Sequence, residues 1–294
     1  MVDHARTEDT ERRLAAIDRV LDRPVFIAGR GRSGTSLLSR LFDGHPQLFC
    51  APGESRVFTE IAPRLKADRD PAAAATALAD RFPLPGRPPD PGLQAQVAAL
   101  DPHDPALPRA LFRLGLERWS RTVDPGDAGA FLEKTPKTED HLPAVFAAFP
   151  QARILYAIRD PRGVYVSNRR SPDFRQEPAV IARQWVKSVS RVTAHLAHAD
   201  GPVRLVRFET LVREPRVTLE RLCRFLELDW SDSLLAPTVR GAPWAGNAYD
   251  PSKLTPDGVA ERKAEEWRAE ITPQEMREIA AVAGAQMEAL GYPV

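Results

Sequence analysis

A short apolar run, Pro24-Val-Phe-Ile-Ala28, leads directly into Gly29-Arg-Gly-Arg-Ser-Gly-Thr-Ser36, after which Leu37, Leu38, Leu41 and Phe42 recur at helical spacing. No other part of the sequence constrains the fold as strongly. An apolar run of this length, bounded by Pro and Gly, reads as a buried parallel strand; the glycine segment reads as a turn and the rest as a helix. A second run, Arg153-Ile-Leu-Tyr-Ala-Ile158, ends in Arg159-Asp-Pro-Arg-Gly163 before another helical stretch, and residues 203–208 alternate like a strand. Strands alternating with helices predict an α/β fold, a parallel β-sheet flanked by helices with a P-loop-like nucleotide-binding core.

Helical spacing is also read over residues 11–21, 108–121, 139–149, 178–199, 215–227, 259–270 and 273–290. Residues 68–106 are rich in Pro, Ala and Asp, and RFPLPGRPPDPG within them fits neither a helix nor a central strand. They read as a long surface excursion, and residues 236–258 read as loop. No repeat or composition break divides the chain. Residues 1–23 are expected to be an N-terminal helical extension and residues 24–294 a single domain.

Composition narrows the function classes. Lys and Arg total 41 against 40 Asp and Glu, a net charge of +1, whereas a nucleic-acid binder carries a basic excess. Neither a signal peptide nor a stretch long enough for membrane insertion is read. Cys50 and Cys223 lie far apart and read as buried free thiols of a reducing compartment, so a cytoplasmic location is expected. No Cys/His spacing suggests a metal site.

The loop Gly29-x4-Gly34-Thr35-Ser36 has P-loop glycine spacing. Glycines let backbone N–H groups converge, and the following helix N-terminus adds positive potential for a phosphate. Thr35 stands where a nucleotide hydrolase has lysine, and the cation lies inside the loop at Arg32. A kinase using ATP and magnesium wants that lysine. The kinase alternative would also make residues 154–160 a Walker B strand with Asp160 on magnesium. A non-catalytic nucleotide-binding module is the other alternative.

With these residues in view, the chain resembles the sulfotransferases that use 3′-phosphoadenosine 5′-phosphosulfate (PAPS). Arg32-Ser33-Gly34-Thr35-Ser36 is similar to their 5′-phosphosulfate loop, and with the downstream His45-Pro46 it is closest to that of tyrosylprotein sulfotransferases. Arg159-Asp160-Pro161, with Ser167 eight residues beyond the arginine, resembles their 3′-phosphate motif. The resemblance implies metal-independent, in-line transfer of a sulfuryl group from PAPS to a hydroxyl or amine. Arg32, Ser33, Gly34, Thr35 and Ser36 would cradle the 5′-phosphosulfate, and Arg159 and Ser167 would hold the 3′-phosphate.

Gly53-Glu54-Ser55-Arg56 aligns with a segment whose first glutamate is that family's proposed base, which makes Glu54 the candidate base here. Other members use histidine. His45 and His141 are the nearest in this chain, and because both flank helices a structural role is expected for His45. Glu133-Lys134-Thr135-Pro136 resembles the family's Asn-Lys-x-Pro segment, implying that Lys134 contacts sulfuryl oxygens. Glu261-Arg-Lys-Ala-Glu-Glu-Trp267 resembles its basic stretch before a tryptophan, implying that Arg262 or Lys263 contacts the 3′-phosphate. Phe208-Glu-Thr-Leu-Val-x-x-Pro215 resembles a structural segment. The acceptor is open among small molecules, glycans, lipids and peptides, and a homodimer is compatible with the sequence.

Overall fold

The apolar runs bounded by Pro or Gly become strands. A computed structural model describes residues 2–84, 91–171, 175–198, 202–244, 246 and 261–294. Strands β1 (Val25–Ala28), β2 (Leu48–Cys50), β3 (Ala130–Lys134), β4 (Arg153–Ile158) and β5 (Val203–Arg207) form one sheet in the order β2-β3-β1-β4-β5. The pairs β2–β3 and β4–β5 are parallel, with Cys50 opposite Leu132 and Ile158 opposite Arg207. The sheet is flanked by helices α1 (Val2–Asp22), α2 (Thr35–Phe42), α3 (Ala62–Asp68), α4 (Pro71–Arg81), α5 (Pro91–Ala98), α6 (Leu107–Trp119), α7 (Leu142–Ala148), α8 (Pro161–Arg169), α9 (Pro178–His198), α10 (Phe208–Arg213), α11 (Pro215–Leu226) and α12 (Pro273–Ala289). A short antiparallel pair, β6 (Thr238–Val239) and β7 (Ala242–Pro243), stands apart from the sheet.

The chain resolves into two compact units. The first comprises residues 1–26 and 45–153, the second residues 27–44 and 154–294. In the first unit the Phe26 ring lies 5.5 Å from those of Phe58 and Phe149 and 5.7 Å from that of Phe112. Such aromatic pairs contribute about 0.5–1.5 kcal/mol each beyond their buried area. Ile17, Val20 and Leu21 bury the inner face of α1, which packs on α6. In the second unit α9 packs on α12 and α8, burying Ile181, Trp185, Ile279 and Met287. A capping box fixes the start of α12: the Glu275 N–H donates to Thr272 Oγ1, and the Thr272 N–H donates to Glu275 Oε2.

Residues 68–106 correct the expectation of an irregular surface excursion. They fold largely into α4 and α5, which pack together and bury Leu78, Phe82, Leu93 and Val97. Pro71 and Pro91 open these helices, where a proline lacks nothing the helix needs. Asp70 caps α4 by accepting the Ala73 N–H at 2.9 Å. Gly115 is required opposite Phe82, because a Cβ there would stand 2.4 Å from the ring. Residues 85–90, within the proline-rich run, lie outside the described residues. The helix read over 259–270 is, in its described part, two 3₁₀ turns, Glu261–Ala264 and Glu266–Ala269. Cys223 is buried, and burial pushes its thiol up to about 11. Cys50 is only half-buried, which corrects the expectation that both thiols are enclosed.

Candidate functional site

The glycine loop belongs to the second unit, and its backbone explains its sequence. Gly29 has φ 130°, and a Cβ there would lie 2.4 Å from the Ala157 carbonyl oxygen. Gly34 has φ 91° and caps α2 against Phe208; its Cβ would stand 2.5 Å from that ring. Both positions exclude a side chain by conformation and by space. Arg32 adopts φ 72°, uncommon for a residue with a Cβ. No side chain caps the N-terminus of α2, and its first turn carries no acid. Its leading N–H groups therefore keep their capacity to bind an anion.

Two arginines add charge to this loop. The Arg32 Nε–H donates to Ser167 Oγ at 3.0 Å. Arg159, at the end of β4, is 7% exposed. Its guanidinium lies 4.3 Å from the Phe208 ring centroid. One Nη donates to the Lys263 carbonyl at 3.0 Å and the other to the Arg32 carbonyl at 3.5 Å. Its Nε–H is buried without a hydrogen-bond partner among the described residues. Leaving a buried donor unsatisfied costs about 1–3 kcal/mol. Burial pushes the Arg159 pKa down, and the nearby charges of Glu209 and Glu266 offset part of that pressure while Arg32 adds to it.

The surroundings hold Arg159 in place. Trp185 Nε1 donates to its carbonyl at 2.9 Å. The next residue, Asp160, caps α8 by accepting the Arg162 N–H at 2.8 Å and forms a two-pronged ion pair with the Arg162 guanidinium. The Asp160 N–H donates to Glu209 at 2.9 Å, and burial raises the pKa of that glutamate. Gly163 leaves room for the arginine, since a Cβ there would stand 2.9 Å from Arg159 Nε.

The second cluster belongs to the first unit. Beyond the end of β2, the Glu54 carboxylate receives Lys134 Nζ at 2.6 Å and lies 3.7 Å from Arg56 Nε. Lys134 is the last residue of β3, and Glu133 before it is 1% exposed. Glu133 accepts the Ser55 N–H at 2.9 Å and the Thr135 hydroxyl, while Thr135 Oγ1 accepts the Arg56 N–H at 3.2 Å. The end of β3 thus fixes the backbone on which Glu54 stands. Burial raises the Glu133 pKa.

The structure therefore brings Arg32 together with Ser167, Arg159 with the backbone at Arg32 and Lys263, and Glu54 with Lys134. Ser167, expected on the same phosphate as Arg159, bonds Arg32 instead. Ser33 and Thr35 are buried and Ser36 is half-buried. Arg262 is exposed, and the Lys263 ammonium pairs with Glu266 at 3.1 Å, so the 261–264 turn meets Arg159 through its backbone. His45 is 2% exposed and its Nδ1 accepts the Gln47 N–H at 3.2 Å. Sequence reasoning missed Glu133, Phe208 and Gly163. Only the placement of Gly163 just past Arg159 hinted at a close approach.

Chemically, the loop cluster offers two guanidiniums and helix-terminal N–H groups to an anion. The Glu54–Lys134 pair offers a carboxylate that can take a proton beside a cation that can oppose negative charge.

Comparison with known proteins agrees with this chemistry. Residues 24–232 match the model of the Sulfotransferase family. Protein-tyrosine sulfotransferase 1 of Danio rerio is 24% identical over 220 residues, 72% of this chain, and the chain spans 55% of that protein's length. The protein-tyrosine sulfotransferase of Drosophila melanogaster is 24% identical over 226 residues, with 39% of its length spanned. Among solved structures, the sulfotransferase domain of the Synechococcus PCC 7002 olefin synthase superposes with a TM-score of 0.61 at 21% identity, covering 92% of this chain and 95% of that one. The sulfotransferase domain of the curacin biosynthetic pathway gives 0.56 at 19% identity, covering 92% and 98%. At these identities the structural likeness bears on the fold alone.

Proposed function

The chain belongs to the sulfotransferase family, and on that premise we propose that it transfers a sulfuryl group from PAPS to a hydroxyl or amine acceptor. The observation that carries this reading is the buried Arg159 beside the glycine loop, where two glycines exclude side chains. These features suit a nucleotide with phosphate at two positions. PAPS, when bound, supplies an activated sulfuryl group on a phosphate leaving group.

The chain's own residues divide the remaining work. Backbone N–H groups from Gly34 to Ser36, with the Thr35 and Ser36 hydroxyls, hold the 5′-phosphate, while the Ser33 N–H closes the loop onto the Arg30 carbonyl at 3.1 Å. Arg32 opposes negative charge on the leaving side. Arg159 and Ser167 hold the 3′-phosphate, and Arg262 or Lys263 assists there. Glu54 accepts the acceptor's proton, and Lys134 stabilises negative charge on the sulfuryl oxygens. The Glu54–Lys134 bond orients the carboxylate in the resting protein.

The kinase reading loses ground on a specific contact. Asp160, which would hold magnesium, is committed to Arg162 and to the start of α8. Only 55% and 39% of the lengths of the Danio rerio and Drosophila melanogaster relatives named for tyrosine are spanned, so the acceptor stays open among peptide, glycan, lipid and small molecule. A cytoplasmic location belongs to the same proposal, motivated by Cys50 and Cys223, which form no disulfide with each other.

Mass spectrometry of acceptor mixtures incubated with PAPS and the protein tests the reading. A sulfate-sized gain on a hydroxyl or amine compound, undiminished by EDTA, is expected. Transfer from ATP that requires magnesium, with none from PAPS, would overturn it.

A further inference from the structure

Strand β5 ends the sheet, so among the described residues no strand pairs with its outer edge. A cavity of about 680 Å³ opens there, lined by the four consecutive residues 204–207 together with parts of α10 and α11. Successive strand residues face opposite sides of a sheet, so a cavity touching four in a row lies along the strand's edge. Arg204, Arg207, Arg221 and Arg224 line it, and no acidic residue does. Leu205, 37% exposed, and Phe225 supply an apolar floor. Arg204 stacks over Phe225 at 5.0 Å, whereas the Arg207 guanidinium is held by the Tyr292 ring at 4.1 Å and the Leu290 carbonyl, neither of which lines the groove. Glu220, on the same helix as Arg221 and Arg224, is turned to Arg216 at 3.9 Å.

An open strand edge beside a hydrophobic floor is a template for pairing that proteins usually block. Here it is rimmed by the guanidiniums of Arg204, Arg221 and Arg224, which repel a second copy of the same edge and select an anionic partner. We propose that this groove docks an acidic segment of another protein in extended conformation, added as a strand along β5. Five strand residues span about 17 Å at the usual rise, which sets the recognised length near five residues. The groove lies within the second unit and shares no residue with either cluster described above.

Fluorescence anisotropy with a labelled hexapeptide of alternating Glu and Val tests the proposal on the full chain. The peptide should bind, and the Arg204→Glu/Arg221→Glu double variant should weaken it at least about tenfold as attraction turns to repulsion. On the unaltered protein, the same peptide N-methylated at alternate backbone nitrogens should also weaken at least about tenfold, because it cannot pair as a strand. Adenosine 3′,5′-bisphosphate should bind the double variant as it binds the unaltered protein, which separates this groove from the nucleotide reading. Equal binding of a Lys/Val hexapeptide would overturn the proposal, as would an indifferent double variant. Full affinity of the N-methylated peptide would reduce the groove to a plain polyanion site and overturn strand docking.

Discussion

The two charged clusters solve different electrostatic problems. Around the glycine loop, Arg159 donates to the Arg32 carbonyl, the Asp160 carboxylate is turned to Arg162, and Arg159 keeps a buried N–H without a partner among the described residues. In the first unit, Glu54 and Lys134 neutralise each other at 2.6 Å. The first arrangement is incompletely balanced, its cations offset only in part by Glu209 and Glu266, and the second is balanced at rest. An incomplete cluster should express itself in binding, a balanced one in turnover. Both share one device: a buried glutamate, Glu209 or Glu133, accepts a backbone N–H from the segment that carries the working residue.

The sharpest way to break this contrast is to neutralise one member of each cluster. Glu54→Gln keeps the shape but cannot take a proton, so kcat should fall about 10²–10⁴-fold, the usual contribution of a positioned base. Affinity for adenosine 3′,5′-bisphosphate should stay nearly unchanged. Arg32→Ala should lower both, because its charge serves the anion. Near-normal turnover in Glu54→Gln would remove Glu54 as base and direct the test to His45.

A smaller effect separates backbone from charge. Gly34→Ala adds a Cβ that meets the Phe208 ring at 2.5 Å with φ at 91°. Denaturant unfolding should show a loss of about 1–3 kcal/mol from strain and overpacking, and bisphosphate affinity should fall with it. Gly53→Ala, where a Cβ meets nothing within 4 Å, is the matched control in the other cluster and should leave stability nearly unchanged.

The smallest effect concerns pH. Burial raises the Glu133 pKa, so its folded-state value exceeds its unfolded one. The associated stability is present below the unfolded value and is lost as pH rises through the folded value. Glu133→Gln mimics the protonated form and can still accept from the Ser55 N–H and the Thr135 hydroxyl. Its melting temperature relative to the unaltered protein should therefore rise between mildly acidic and mildly alkaline pH. A difference that stays constant across that range would contradict the burial argument.

Much of the fold was legible because apolar runs between Pro and Gly have few alternatives. β1, β4 and the alternating β5 were read in place, as were α6, α9, α11 and α12 near their observed bounds. β2 escaped because three residues, Leu48–Cys50, carry no periodicity. The helices after Pro71 and Pro91 escaped because a proline at a helix's first position looks the same in sequence as one that breaks a helix. Among the site residues, types were readable and partners were not. Nothing in the spacing of Arg159 and Ser167 says that Ser167 turns to Arg32, nor that Glu54 and Lys134, eighty residues apart, meet.

The central claim is that the glycine-loop cluster awaits a nucleotide carrying phosphate at both the 3′ and 5′ positions. Calorimetric titration with adenosine 3′,5′-bisphosphate and with 5′-AMP tests it most directly. A charge-assisted contact contributes about 1.5–3 kcal/mol, so the bisphosphate should bind at least about tenfold more tightly, and Arg159→Ala should abolish that preference. Equal affinities of the unaltered protein for the two nucleotides would contradict the account.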